Sequence, residues 1–255
     1  MNARSTQPHT YYFATRDLLL MAVLAGLGGV ASTAINALGD AVQALVGFAG
    51  TTQWAAGLHV TLLVLVVGLV HKSGAATLTA LLKGGVEVLS GNTHGIIVLL
   101  VDLAAGVLID AVFLALRRRE ALATYLLAGA LGAASNVFVF QLFVSAPEDV
   151  IAFVWGIAAL AALSGAVLGG LLAHTLLGIL RRNGLAPAAA PLATLGAWRQ
   201  PAFLGFFLVA ALAGGLYLKS TLAGPPSVEI AGGVAAPYAY AASEQDLPVV
   251  ERTLS

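Results

Sequence analysis

Charge is what this 255-residue chain lacks most: Asp, Glu, Lys and Arg together make up 9% of it, against about 25% in soluble domains. Hydrophobic residues reach 59% and the mean hydropathy is +0.93. So little charge cannot cover a water-facing surface, and the composition is that of a polytopic membrane protein. Net charge is +0, and no basic stripe with interleaved aromatics offers a nucleic-acid surface. Cysteine is absent, which excludes disulfides, thiolate catalysis and Cys-ligated metals. HExxH, GxSxG and the Walker A Gly-Lys-Ser/Thr ending are also missing, so this chain cannot hydrolyse ATP by the P-loop mechanism. His59, His71 and His94 lack a metal-ligand spacing, and no cofactor is implied. The absence of a visible inverted repeat weighs against a secondary transporter.

What is present centres on Ser73–Gly95, SGAATLTALLKGGVEVLSGNTHG. The stretch is apolar enough for a membrane helix yet holds Lys83 and Glu87, four residues apart and therefore on one helical face. Each charge costs roughly 2.5–3.5 kcal/mol at the bilayer centre on insertion scales. That face must meet a protein interior or a wet cavity, and a binding site is the default reading. The alternative is mutual neutralisation of the two charges inside a bundle. Asp110 reads as structural, pairing with Lys83 or with an Arg of 117–119.

In order, the pattern predicts an all-α bundle with spans over about 18–38, 54–70, 75–90, 96–116, 122–144, 150–180 and 203–222. The sixth exceeds the roughly 20 residues of a perpendicular span, so tilt or an interfacial turn is expected. Residues 39–53 form a less apolar connection, a short surface helix or flap. Domains follow: a six-helix core over 1–182, a linker over 183–200, an additional transmembrane helix over 201–222 and a short tail over 223–255. A signal peptide is the rival reading of the first span; Asp17 and the polar Ser32, Thr33 and Asn36 argue against cleavage. Gly165 and Gly169 make a small-xxx-small packing motif.

With the N-terminus cytoplasmic, nine Lys and Arg residues (Arg4, Arg16, Lys72, Arg117–Arg119, Arg181, Arg182, Arg199) fall inside and only Lys219 and Arg252 outside. That is the positive-inside bias, and it places the tail outside the cell membrane. The same topology puts Asn36, Trp54, His59, Glu87, Asn92, His94, Asp102, Asn136, Gln141 and Trp155 at similar depth in the outer half. Together they suit a small-molecule pocket, aromatic faces stacking a flat ring while amides and a carboxylate orient it. Taken singly, Trp54 and Trp155 read as interfacial belt residues, His59 and His174 as helix–helix hydrogen-bonding groups, and Asn92 as a cap. Ala22, Ala25, Gly26 and Gly29 form a small-residue face on the first helix, suited to tight packing within the chain or against a partner.

Three stretches carry a resemblance: YYFATRDLLLMAVLAGLGGVASTAINALG (11–39), GAATLTALLKGGVEVLSGN (74–92) and the run ending RRRE (117–120). Over about 11–182 the chain resembles the substrate-binding S component of energy-coupling factor (ECF) ABC transporters, in the hydroxymethylpyrimidine/thiamine branch. The resemblance implies a six-helix core with an outward pocket for thiamine or hydroxymethylpyrimidine. It also implies a transmembrane coupling protein and two ABC ATPases as partners in the lipid bilayer, and a toppling motion that delivers ligand inward. Ala22, Ala25, Gly26 and Gly29 would meet the coupling protein. The seventh span and the tail depart from the six-helix pattern. Rival readings are a stand-alone transporter or channel, a membrane enzyme using Glu87, His94 and Asp102, and an assembly subunit.

Overall fold

The axis of the bundle is α2 (Ala56–Val70), which has no polar face and buries twelve of its fifteen residues. A helix apolar all round is stable only when surrounded. The computed structural model describes residues 11–46, 52–92, 94–116, 121–141, 151–188, 193 and 199–222. Around α2 run α1 (Thr15–Val46), α3 (Ala75–Leu89), α4 (Ile97–Leu116), α5 (Leu122–Gln141), α6 (Ile151–Ser164) and α7 (Leu172–Arg182), followed by α8 (Arg199–Leu222). A π-helical segment, Gly165–Leu171, joins α6 to α7, and a 3-10 turn, Thr52–Ala55, leads into α2. No strand forms among the described residues; Lys72 and Ala193 make an isolated parallel bridge.

Five helical stretches are long and apolar enough to cross a membrane: Thr15–Leu45, Thr52–Val70, Ile97–Leu116, Leu122–Gln141 and Phe153–Arg182. The chain is a multi-pass membrane protein. The expected third span, α3, falls outside this group: fifteen residues reach only about 22 Å, short of the roughly 30 Å hydrocarbon core. It packs between α1 and α4, its charges turned inward. The helix expected at 203–222 is present as α8, also outside the five. The first helix runs on to Val46, so residues expected as a connection continue it. Arg117–Arg119, residues 142–150, most of the linker beyond 188 and the tail from 223 lie outside the described residues. The chain divides into units 1–217 and 218–255, and the bundle and its site belong to the first.

The long sixth span is one continuous helical run with a π segment inside it. Glycines bring backbones together here. A Cβ on Gly57 of α2 would strike the Ser164 carbonyl, and one on Gly129 of α5 the Gly165 carbonyl. The Gly165/Gly169 pair thus packs α6 onto two neighbours. Polar side chains tie this region to its neighbours: Thr61 donates to the Leu168 carbonyl at 2.8 Å, and Ser164 to that of Trp54 at 2.6 Å. The Gly57 amide donates to Ser164 Oγ at 3.0 Å. At the opposite end, Asp17 accepts from the Ala14 amide and pairs with Lys72 at 2.6 Å. His174 sits edge-on to Tyr125, which in turn meets Phe113.

Gly129→Val should therefore lower the melting temperature of the detergent-solubilised protein sharply, overpacking costing about 1–3 kcal/mol or more. Gly156→Ala, where a Cβ meets nothing within 4 Å, should leave it unchanged or slightly higher.

Candidate functional site

Lys83 lies on the face of α3 turned toward α1 and α4, only 1% exposed. Its ammonium donates to Glu87 Oε1, one turn on, and to Asp102 Oδ1 of α4 at 2.7 Å. Glu87 is 2% and Asp102 5% exposed, so three ionisable groups share one apolar interior. Close helix approach encloses them. A Cβ on Gly84 would sit 2.9 Å from Leu99 Cα, and one on Gly28 of α1 would sit 3.3 Å from Lys83 Cδ. A buried ion pair survives only with its remaining lone pairs satisfied, and the end of α3 supplies one partner. Gly91 takes φ +76°, the Asn92 amide donates to the Glu87 carbonyl, and the Gly91 amide to Val88. That is a Schellman close. It turns the chain so that Asn92 Nδ2 donates to Glu87 Oε2 at 2.8 Å while its Oδ1 accepts from the His94 amide at 2.9 Å.

Beside this cluster is a hollow of about 400 Å³. Every one of the first six helices contributes to it. The far end of α1 presents Asn36, Asp40 and Gln43, and the 3-10 turn presents Thr52 and Gln53. Ala56 and His59 come from α2, and Glu87 from α3; His94, Val98, Val101 and Asp102 come from the entry to α4. Asn136, Val137, Phe140 and Gln141 end α5, and Phe153 and Ile157 begin α6. Apart from α3, which gives Glu87 alone, the contributors within each helix recur at three- and four-residue spacing, one face apiece. Asp102 Oδ2 and Asn136 Oδ1 are buried acceptors with no protein partner, the condition of groups awaiting a donor.

Of the ten pocket residues expected from sequence, Asn36, His59, Glu87, His94, Asp102, Asn136 and Gln141 line this hollow. Asn92 stands behind it, holding Glu87. Trp54 and Trp155 do not line it. The Trp54 side chain is 48% exposed, and Trp155 is 62% exposed and edge-on to Phe138. The reason for Trp155 is helical phase: Phe153 and Ile157 face inward, and a residue two positions from either points about 200° away. Asp40, Gln43, Thr52, Gln53, Phe140 and Phe153 were missed. The spacing Asn36–Asp40–Gln43 was the available signal, a polar face continuing one turn beyond the expected end of the helix.

The small-residue face of α1 divides. Ala22 is exposed and Gly26 borders open space, whereas Ala25 and Gly29 are buried, and a Cβ on Gly29 would meet Val86 at 2.6 Å. For Ala25 and Gly29 the expected partner contact is thus replaced by packing inside the bundle. Asp110, expected to pair with Lys83 or an Arg, instead accepts from the Thr77 amide at 2.8 Å and from Thr77 Oγ1 at 2.7 Å. It thereby caps the N-terminus of α3 from a neighbouring helix.

These features define a helical membrane protein whose bundle closes around a polar hollow at one end. Residues 16–135, less than half of the chain, match the family model of the ABC-type cobalt transport system, permease component. In fold, the chain is similar to a crystal structure of an S component of an ECF transporter, with TM-score 0.60 and 20% identity. That likeness covers 84% of this chain and 99% of the other. No curated protein matches the sequence.

Asp110→Ala leaves the first turn of α3 uncapped in an apolar interior. It should destabilise the purified protein by about 1–3 kcal/mol, read as a lower melting temperature, with Asp110→Asn recovering part of the loss.

Proposed function

We propose that this chain is the membrane-embedded substrate-binding subunit of an ECF-type ABC importer, capturing thiamine or its hydroxymethylpyrimidine precursor from outside the cell. Delivery inward is by toppling, driven by two partner ATPases through a transmembrane coupling protein. The observation that carries this reading is the convergence of six helices on a hollow of about 400 Å³ with carboxylates, amides and an aromatic ring. The size lies within the range of small-molecule sites. Phe140, with the His94 ring 5.3 Å away, offers a face to a flat heterocycle. Asp102 Oδ2 and Asn136 Oδ1 await donors such as an aminopyrimidine amine. Fold likeness to an S component and the matched ABC transport family support a transport role. The positive-inside bias favours a cytoplasmic N-terminus, which turns the hollow outward and the tail out of the cytoplasm.

A cobalt cargo is the second reading, favoured by the description of the matched family. Against it, Lys83 already occupies the space between Glu87 and Asp102, where a cation would have to sit. Among the described residues, no three His, Asp or Glu side chains form a metal-holding group. No covalent step is assigned to Glu87, His94 or Asp102, and the chain is read as a binder rather than an enzyme.

Titration calorimetry of the purified protein should give saturable heat with thiamine or hydroxymethylpyrimidine and none with Co²⁺. The reverse pattern would replace the vitamin reading by the metal one. Glu87→Gln should weaken thiamine binding by about tenfold or more, a charge-assisted bond being worth about 1.5–3 kcal/mol. Unchanged affinity would leave Glu87 as a partner of Lys83 alone. Gly26→Leu, in open space, should impair ATP-driven uptake in cells while calorimetric binding stays near wild type. Gly29→Leu should fail earlier, by destabilising the contact between α1 and α3.

A further inference from the structure

Lys83 does not line the hollow, yet it sets the charge of what does. Its ammonium lies behind the wall and holds two carboxylates, Glu87 and Asp102, that both face the cavity. A helix–helix ion pair needs one of each sign. Here there are two anions for one cation, all essentially removed from solvent. With all three ionised the cluster carries one unit of negative charge, and Asp102 Oδ2 lacks a protein partner. A buried, uncompensated charge is strongly destabilising unless something of opposite sign meets it. Among the described residues, the other titratable groups lining the hollow are His59 on α2, His94 before α4 and Asp40 on α1. No lysine or arginine among the described residues lines the hollow itself.

We propose that Lys83 is a specificity-determining residue: by cancelling one of the two carboxylates it holds, it fixes the buried triad at a single net negative charge and so selects a cationic organic ligand over a neutral one. Two bare carboxylates would favour a dication, and one carboxylate fully matched by lysine would favour no charge at all. The stem of Lys83 is held against Gly28 of α1, so the ammonium is placed by backbone packing and cannot withdraw to solvent. This inference rests on the reading of the site as one for thiamine or its pyrimidine moiety.

The pair of ligands makes the test. Thiamine carries a permanent thiazolium charge, whereas hydroxymethylpyrimidine offers the same pyrimidine without it, so contacts to the shared ring cancel in the ratio of their affinities. Calorimetry on the full-length protein in detergent compares wild type (net −1), Asp102→Asn (net 0) and Lys83→Met/Asp102→Asn (net −1 without lysine). The double variant replaces Lys83→Met alone, which would leave two facing buried carboxylates and a folding defect. The thiamine-to-pyrimidine affinity ratio should fall by at least about tenfold in Asp102→Asn, as expected for one unit charge a few ångströms away in a partly buried site. It should return to within about threefold of wild type in the double variant on the same electrostatic ground. Equal ratios in the two variants would overturn the proposal and leave Lys83 a scaffold. Wild type binding neither ligand would instead remove the vitamin reading, and this inference with it.

Discussion

Everything around the hollow depends on keeping three ionisable groups inside a greasy bundle. Removing an ammonium and two carboxylates from water costs several kcal/mol apiece even after relaxation. Only close mutual geometry offsets this. That geometry is supplied by glycines: Gly28 and Gly84 let α1, α3 and α4 approach until Lys83 is enclosed. Gly91 bends the chain so that Asn92 reaches back to Glu87. Backbone conformation, helix spacing and side-chain charge therefore act as one unit, and the hollow inherits its polarity from that unit. A shorter α3 is part of the same solution, since a helix with buried charge gains nothing by exposing its ends to hydrocarbon.

Much of the fold was legible because its signals are local. Apolar runs, Arg and Lys at their ends and Gly-rich turns mark most of the helices within a few residues, the first excepted, which runs on to Val46. The alternation of helix direction then brought Asn36, His59, Glu87, Asp102, Asn136 and Gln141 to one depth, which is a statement about topology rather than contacts. What sequence could not supply was rotation. Trp155 shares the depth of Phe153 but points away from the hollow, and nothing short of the helix phase distinguishes them. Depth without phase also misread α1, where Ala25 and Gly29 turn inward while Ala22 and Gly26 turn outward. Asp40 and Gln43 were passed over because polarity was taken to end the first helix, when it only moves to the face that the cavity uses.

The two ends of the bundle handle polarity differently. Around the hollow, Asp102 Oδ2 and Asn136 Oδ1 are buried acceptors left without a protein partner. At the other end Asp17 and Lys72 pair, Tyr12 donates to the Ser73 and Ala193 carbonyls at 3.0 and 2.9 Å, and Arg181 reaches the carbonyl of Pro187. One end leaves a polar hollow, the other ties its own chain together. Asp110 belongs with the second, although it is buried as deeply as the triad. Its oxygens are already committed to the start of α3.

The π-helical stretch between α6 and α7 fixes something less visible than packing. A π turn accommodates about one residue more than an α turn, so its presence sets the rotational register of everything before it. Were ordinary α geometry imposed on 165–171 with every residue kept, α6 would turn by about 100° relative to α7. Phe153 and Ile157 would swing off the hollow and a different pair would take their place. The one residue that the π turn absorbs thus decides the lining of a cavity two turns or more distant, without altering any residue that touches it.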